Sequence, residues 1–396
     1  MTNSADKQTY LRQIRKLILS DFLGNLYFFL PILTLFLLDN DISLSVIVLA
    51  QVAYSATSFI AEIPTGILAD RYGHKLSYAI GRLSDALGLL VIVLFPTPIT
   101  LFLGLMFRGL SGALMSGSED ALLYEYSKRS DENFTKQLGR KKGLGTLGFA
   151  VAALVAGVAV EVFGTDAYAP LIFLTITFIV ASSYQAITLL DLKISNKGKD
   201  KFHEVKQGFA LIKTNKVLRT LIIVSGITFL GKYTLIDVYP PYFVENNVAP
   251  LFIGLSLSLG AALNYLLLRS SQTIEDKLGP VKSITGTVLV TAALYVLLGI
   301  TNNAYITVVT FVLLFAVMES KAVFVSSYAN EHARSDIRAT ILSAVSQFKE
   351  LIKILVKTAF GFAVGVFSLS SLFIIYGSVL AVGAAWGYFL LRKADR

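Results

Sequence analysis

Sixteen charged side chains lie inside apolar stretches of about twenty residues, and they are the candidates for chemical function in this sequence. The acidic members are Asp21, Glu62, Asp85, Glu119, Asp120, Asp237, Glu319 and Glu350. The basic members are Arg82, Arg108, Lys232, Arg269, Lys321, Lys349, Lys353 and Lys357. A charge near the centre of a membrane helix costs roughly 2.5–3.5 kcal/mol on insertion scales, so each needs a partner or a water-filled cavity. The roles open to them are ion pairing, proton binding and attraction of an anion.

The most unusual of these stretches contains three lysines at four-residue spacing, Lys349, Lys353 and Lys357, which we call the lysine row. Like charges at this spacing repel one another on a helix, and burial makes the repulsion worse. Glu350 neutralises one lysine and not three. Either an aqueous cavity that attracts an anionic group or acidic partners on other helices would remove the repulsion. The cavity is the interpretation we favour, and we predict that all three lysines contact substrate or line the cavity.

Two carboxylates are candidates for pairing with the lysine row or for proton binding. Lys232 and Asp237 are five residues apart, and Glu319 and Lys321 are two apart. At these spacings the two members of each pair do not face each other on a helix. Asp237 and Glu319 are therefore predicted proton-coupling residues. Lys232 and its neighbour Tyr233 are predicted to contact substrate or line the cavity.

Arg82 and Asp85 present a simpler pattern, because they are three residues apart on one predicted helix. Opposite charges at this spacing can satisfy each other locally. We therefore expect them to form a structural ion pair with each other.

The composition requires a membrane environment. Of 396 residues, 55% are hydrophobic and only 15% are charged, and the mean hydropathy is +0.67. A soluble domain carries about 25% charged residues. The chain has no cysteine, which excludes disulfides and thiolate metal sites. Its three histidines fall in polar connections without metal-ligand spacing, and no nucleophile–base motif is present, so we expect neither a metal or other cofactor nor an enzyme.

Twelve apolar runs are long enough to cross a hydrocarbon core of about 30 Å. The predicted spans are Leu17–Leu38, Leu44–Leu68, Leu76–Phe95, Ile99–Tyr124, Gly143–Phe163, Tyr168–Leu190, Val217–Phe243, Leu251–Thr273, Val281–Ile300, Ala304–Asn330, Ile337–Phe367 and Leu369–Leu391. The sequence therefore predicts an all-α membrane protein with twelve transmembrane helices.

The distribution of the net charge of +9 orients these spans. Lysines and arginines cluster before span 1, after each even-numbered span and at the C-terminus, whereas the six alternate connections contain none. Cytoplasmic connections carry the excess of Lys and Arg. Both termini are therefore predicted to be cytoplasmic, and one missed span would invert every later connection.

A polar basic stretch near the middle divides the chain into predicted domains. These are an N-terminal six-helix bundle (1–192), a cytoplasmic linker (193–216) and a C-terminal six-helix bundle (217–396). An internal repeat supports this division, because GILADRYGHK after span 2 has a counterpart in QTIEDKLGPVK after span 8. The matched loop residues are Gly66, Asp70, Arg71, Gly73 and Lys75 in the first copy and Asp276, Lys277 and Gly279 in the second. We call these eight residues the loop motif, and we predict that it acts as a gate between the halves.

The first copy of the loop motif resembles the signature between helices 2 and 3 of the major facilitator superfamily. Arg108 and Gly112 in RGLSG are similar to a second pattern of that family in helix 4. The segments EIPTG and SGSEDALLYEY resemble a subgroup of bacterial facilitators described mostly as efflux proteins. Span 5 lacks the Gly-Pro pair that drug/proton antiporters of the family commonly carry.

This resemblance implies two pseudo-symmetric six-helix bundles around a central cavity that span 4 helps to line. Arg108 is then expected to contact substrate or a gate. Glu119 and Asp120 are expected proton carriers, and the alternative, left open, is that they pair with basic residues near the cytoplasmic end.

The implied function is secondary active transport of a small organic solute by alternating access, as proton-coupled export, an antiport. The alternative is an importer or flippase of an anionic solute or amphiphile that uses the lysine row. We expect a monomer in the bacterial inner membrane that is driven by the proton gradient and has the small-molecule substrate and the lipid bilayer as partners. We expect no nucleic acid partner.

Overall fold

The computed structural model describes residues 4–192, 234–332 and 338–394, and the regular structure in those ranges is helical throughout. The helices of residues 4–187 are α1 (Ser4–Gly24), α2 (Leu33–Asp39), α3 (Leu44–Tyr72), α4 (His74–Leu94), α5 (Pro98–Met115), α6 (Ser118–Ser130), α7 (Phe134–Phe163) and α8 (Tyr168–Ile187). Those that follow are α9 (234–245), α10 (Leu251–Arg269), α11 (Ser271–Leu278), α12 (Pro280–Ile300), α13 (Ala304–His332), α14 (Arg338–Val364) and α15 (Leu369–Ala394). A 3₁₀ turn, Gly164–Ala167, joins α7 to α8.

Two predicted spans are interrupted in the structure. Span 1 breaks between α1 and α2, where the side chain of Asn25 donates to the backbone oxygen of Asp21 at 2.7 Å and so competes with the helical ladder. Pro31, which has no N–H, lies in the same interruption. Span 4 breaks at Gly117, which has a φ of 73°. Spans 1 and 4 are therefore each built from two helices, and Pro98–Ser130 still counts as one candidate membrane span.

Eight helical segments of the described chain are long and apolar enough to cross a membrane. They are Leu44–Tyr72, His74–Leu94, Pro98–Ser130, Phe134–Ile187, Leu251–Arg269, Pro280–Ile300, Ala304–Val325 and Leu369–Arg392. The segment Phe134–Ile187 has 54 residues, enough for two crossings at about 20 residues each. The total of twelve spans and the cytoplasmic location of the termini stay predictions.

Contacts divide the chain into two compact units. The first consists of Met1–Ser43 with Ala50–Gly198, and the second of Leu44–Leu49 with Lys199–Arg396. The predicted linker 193–216 lies outside the described residues, so the predicted domain boundaries stay predictions.

In the first unit, α4 is the central element, since it packs against α5, α6 and α8. Backbones of α4 and α5 meet at Gly88 and Gly104, where a Cβ on either glycine would collide with the carbonyl oxygen of the other. Such small residues permit close helix contact in membranes. The close approach brings Asp85 of α4 and Arg108 of α5 within reach of each other.

The second unit is built on α12, which packs against α13 and α15, and on the pair α10 and α13. Aromatic side chains fill the space beside α9. Tyr239 stacks on Phe311 with ring centroids 4.4 Å apart, and Phe243 contacts the same ring edge-on at 5.3 Å. This packing fixes α9 and therefore the position of Asp237.

Candidate functional site

Arg82 lies at the interruption of the first predicted span and is only 1% exposed. Its guanidinium donates to the carbonyl oxygen of Gly24 at 3.1 Å, to Asp21 Oδ1 at 3.3 Å and to the Tyr78 hydroxyl at 3.2 Å. Gly24 is the last residue of α1, so its carbonyl has no partner within the helix. Arg82 thus satisfies the broken helix end and neutralises the Asp21 carboxylate at the same point.

Arg108 forms the second buried ion pair. Its Nε lies 2.8 Å from Asp85 Oδ1, and its guanidinium lies 4.5 Å from the centre of the Phe29 ring. The side chains of Arg108 and Asp85 are 12% and 7% exposed. The predicted pair between Arg82 and Asp85 is therefore wrong, because each residue finds its partner on another helix.

Glu119 and Asp120 share one cation. Lys141 Nζ lies 2.9 Å from Glu119 Oε1 and 2.6 Å from Asp120 Oδ1, and the lysine side chain is only 4% exposed. This is the pairing that the sequence left open as an alternative. Glu119 Oε2 is buried and has no hydrogen-bond partner within the described chain, so one of its oxygens is available to a proton. The role of both acids in proton coupling stays a prediction.

These seven residues, Asp21, Arg82, Asp85, Arg108, Glu119, Asp120 and Lys141, form what we call the charge network of the first unit. It connects α1, α4, α5, α6 and α7. Three cations face four carboxylates, so the network carries one formal negative charge when all acids are ionised. Binding of one proton would balance it.

The lysine row has acidic partners where its side chains are described. Lys357 Nζ lies 3.5 Å from Asp237 Oδ2, with the two side chains 5% and 11% exposed. Lys353 Nζ lies 3.0 Å from Glu350 Oε2, one helical turn away. Lys357 thus has the partner on another helix that the alternative requires, and Lys353 is the lysine that Glu350 neutralises. Neither of these two pairs needs a cavity. Lys232 and Tyr233 lie outside the described residues, as do the side chains of Lys349 and Glu319.

The two copies of the loop motif share one backbone conformation. Gly73 precedes α4 with φ 101° and ψ 138°, and Gly279 precedes α12 with φ 78° and ψ 160°. L-residues with side chains rarely adopt such angles, which accounts for glycine at both positions. The second copy is otherwise exposed at Asp276 and Lys277.

The first copy makes contacts beyond this shared turn. His74 Nε2 lies 3.5 Å from Asp70 Oδ1, and the Arg71 guanidinium lies 5.4 Å from the centre of the Tyr72 ring. Asp191, which follows α8, places a carboxylate oxygen 2.9 Å from where a Cβ on Gly73 would lie. Gly66 and Lys75 are half-buried. Whether the loop motif acts as a gate stays a prediction.

Sequence reasoning did not single out Lys141 and Asp191, and it did not find the partners of Asp21 and Asp85. Asp21 and Asp85 stood out as charges in apolar stretches, but their partners are distant in sequence. Lys141 lies in a basic cluster, Arg140–Lys141–Lys142, which is typical of a cytoplasmic surface. The one available signal for it was the pair of acids at the N-terminal end of α6.

A family model of the Major Facilitator Superfamily matches residues 19–356. The chain belongs to the Major Facilitator Superfamily. This confirms the predicted superfamily, and a multi-pass membrane transporter follows from it. Membership in the efflux subgroup stays a prediction.

Two relatives are transporters of this superfamily whose activity is uncharacterized. The chain is 21% identical over 370 residues to the MFS-type transporter YxaM of Bacillus subtilis (strain 168), covering 89% of each chain. It is 23% identical over 275 residues to the MFS-type transporter MJ1560 of Methanocaldococcus jannaschii, covering 68% of each.

Solved structures of other transporters share the fold. The nucleoside transporter NupG superposes with a TM-score of 0.78 at 14% identity, covering 97% of this chain and 99% of that chain. The peptide transporter PepTSo of the POT family gives 0.72 at 14% identity, covering 97% and 98%. A bacterial homolog of the lysosomal transporter Spinster gives 0.68 at 13%, covering 99% and 96%. At these identities the likeness establishes the fold alone.

Proposed function

We propose that this facilitator is a proton-coupled secondary transporter that moves a small organic solute by alternating access, with export as its direction. The observation that carries the proposal is the charge network, in which four carboxylates share three cations on the helices of the first unit. Such a cluster is costly in a membrane protein and is typical of proton or substrate pathways.

Glu119 is the proposed point of proton entry. Its Oε1 accepts from Lys141, whereas its Oε2 is buried without a hydrogen-bond partner within the described chain. Proton binding at Oε2 would neutralise the acid and weaken its attraction to Lys141. The lysine would then pair with Asp120 alone, so one ion pair in place of two would hold α6 to α7.

Arg108 is the proposed substrate contact of the first unit. Its ion pair with Asp85 is buried beside the Phe29 ring, so an aromatic surface and a guanidinium lie together. A planar solute with a polar or anionic group fits that combination, since guanidinium groups bind carboxylates and phosphates in a fixed geometry. In the second unit, Asp237 and Glu319 are proposed to contribute to proton coupling. Lys232, Tyr233 and the lysine row are proposed to contribute to the cavity.

Export is proposed from the resemblance of EIPTG and SGSEDALLYEY to bacterial efflux facilitators. The competing proposal, import or flipping of an anionic solute or amphiphile, depends on unpaired lysines in the lysine row. Because Lys353 and Lys357 both have acidic partners, the pairing favours the solute exporter. We further propose a monomer in the bacterial inner membrane, with the proton gradient as energy source and no nucleic acid partner.

The test is transport by the full chain in proteoliposomes, with and without an imposed pH gradient. A panel containing nucleosides, dipeptides, organic anions and amphiphilic cations covers the solutes of the superposed transporters and of the two competing proposals. We expect Glu119→Gln to reduce gradient-driven accumulation by at least tenfold while substrate exchange continues. Asp237→Asn and Glu319→Gln are expected to act in the same direction.

Glu245→Gln is the matched control, since it removes an exposed carboxylate at the end of α9. Its accumulation should equal that of the wild type. Full gradient-driven accumulation by Glu119→Gln would contradict the assignment of Glu119. Equal transport of every tested solute with and without the gradient would contradict proton coupling.

A further inference from the structure

An apolar groove with two arginines lies on the first unit between α1 and α7. It has a volume of about 300 Å³ and is lined by Arg15, Ile18, Leu19, Phe22, Arg140 and Leu144. The α1 members recur every three or four residues and so share one face of that helix. The only charged groups among the lining residues are the two guanidiniums, and they carry the same sign.

The two arginines lie at the same end of this groove. Asp21 and Asn25, at the end of α1, lie beside Gly145 of α7, and Phe22 packs against Gly148. In the predicted topology spans 1 and 5 are both odd-numbered, so they cross the membrane in the same direction. The helices therefore run side by side in the same direction. Arg15 and Arg140 precede these contacts by similar lengths of helix, and the apolar lining extends from them toward the contacts.

That end of the groove coincides with the predicted membrane surface. Arg15 lies two residues before the predicted start of span 1 at Leu17, and Arg140 lies three residues before the start of span 5 at Gly143. The guanidiniums are thus at the level of lipid headgroups, and the apolar part continues into the hydrocarbon region. Basic pockets between membrane helices on the cytoplasmic side bind anionic headgroups.

Arg15 and Arg140 differ from the neighbouring Lys141 in their ion pairing. Lys141, next to Arg140, is buried and paired with Glu119 and Asp120. Arg15 and Arg140 are exposed, and neither forms an ion pair within the part of the chain that the structure describes. Two guanidinium groups at the mouth of an apolar groove are complementary to an anionic amphiphile.

We propose that this groove binds one anionic phospholipid of the bilayer. Its phosphate would lie between Arg15 and Arg140, and one acyl chain would lie along Ile18, Leu19, Phe22 and Leu144. Such a lipid would cover the seam between α1 and α7, directly outside the Lys141 end of the charge network. The inference does not depend on the direction of transport or on the substrate.

The test is lipid binding to the full chain in nanodiscs, by native mass spectrometry, with phosphatidylglycerol against phosphatidylcholine. We expect one tightly retained phosphatidylglycerol in the wild type. Because a juxtamembrane arginine contributes about 1 kcal/mol toward anionic lipid, Arg15→Gln and Arg140→Gln should each weaken retention about fivefold. Leu144→Trp, which fills the groove and keeps both arginines, should also reduce retention.

The double variant Arg12→Gln/Lys142→Gln is the matched control, because both residues are exposed, lie outside the groove and remove the same charge. Its retention should equal that of the wild type. Equal losses in the control and in Arg15→Gln/Arg140→Gln would overturn the proposal in favour of general surface charge. Equal retention of phosphatidylcholine, or displacement of the lipid by soluble glycerol phosphate, would overturn it as well.

Discussion

The charge network of the first unit and the lysine row of the second both pair charges inside apolar helices, but they do so in different ways. In the charge network, each ion pair joins two helices, and two of its three cations contact more than one acceptor. In the lysine row, Lys353 pairs with Glu350 on its own helix, and Lys357 makes a longer contact with Asp237. The difference indicates that the first unit uses its charges to fix helices to one another. In the second unit, one pair only neutralises a charge locally.

The largest expected effect is at Arg82. Arg82→Ala removes the partner of the buried Asp21 carboxylate and leaves the Gly24 carbonyl at the end of α1 unsatisfied. Removing one member of a buried ion pair costs about 3–5 kcal/mol. The free energy of unfolding, measured in detergent by denaturant titration, should fall by that amount. A loss below about 1 kcal/mol would mean that Arg82 does not fix α1.

A double-mutant cycle sharpens the reassignment of the ion pairs. Arg108→Gln and Asp85→Asn should each destabilise the fold, and the double variant should lose less than the sum, with a coupling of about 0.5–3 kcal/mol. The cycle of Arg82→Gln with Asp85→Asn is the comparison and should show weaker coupling. A stronger coupling between Arg82 and Asp85 would restore the pair expected from their spacing in sequence.

The sequence predicted the membrane helices better than it predicted which charged residues pair with each other. Span 9 (Val281–Ile300) matches α12 within one residue, because its apolar run is bounded by proline and by polar residues. The interruption after α1 was not predicted, since the stretch is apolar on both sides and only Asn25 and Pro31 mark it. Ion partners were unpredictable because they depend on which helices touch, as at Gly88, where the absence of a side chain leaves room for Arg108.

An intermediate effect is expected at the interhelical contact of the lysine row. Lys357→Met removes the cation that lies 3.5 Å from the buried Asp237 carboxylate, which costs about 3 kcal/mol, the lower end of the range for buried pairs. Adding Asp237→Asn should recover part of the loss, because the double variant removes both charges of the pair. If Lys357→Met alone matches the wild type in thermal unfolding, the contact at 3.5 Å contributes nothing and the lysine is available to an anion.

A smaller effect is expected at the two glycines of the loop motif, which form a matched pair. Alanine at Gly73 or at Gly279 must adopt a positive φ, which costs roughly 1–2 kcal/mol. Gly73→Ala also brings its Cβ to 2.9 Å from an Asp191 oxygen, whereas a Cβ at Gly279 meets no atom within 4 Å. Gly73→Ala should therefore be the more destabilising, and Asp191→Ala should reduce the difference. Equal losses of stability in Gly73→Ala and Gly279→Ala would show that Asp191 does not constrain Gly73.

The smallest effect is expected at Lys353, the local pair of the lysine row. Lys353 and Glu350 are one turn apart on α14 and 12% and 30% exposed, so the pair resembles a helical surface pair more than a buried one. Such pairs contribute about 0.3–0.5 kcal/mol.

Lys353→Ala should thus leave the free energy of unfolding within about 0.5 kcal/mol of the wild type, and any larger effect should appear in transport alone. Because stability and transport are measured on the same variant, a loss of transport without a loss of stability would assign Lys353 to the substrate pathway. A loss of stability comparable to that of Arg82→Ala would instead show that Lys353 stabilises the second unit beyond its local pair with Glu350.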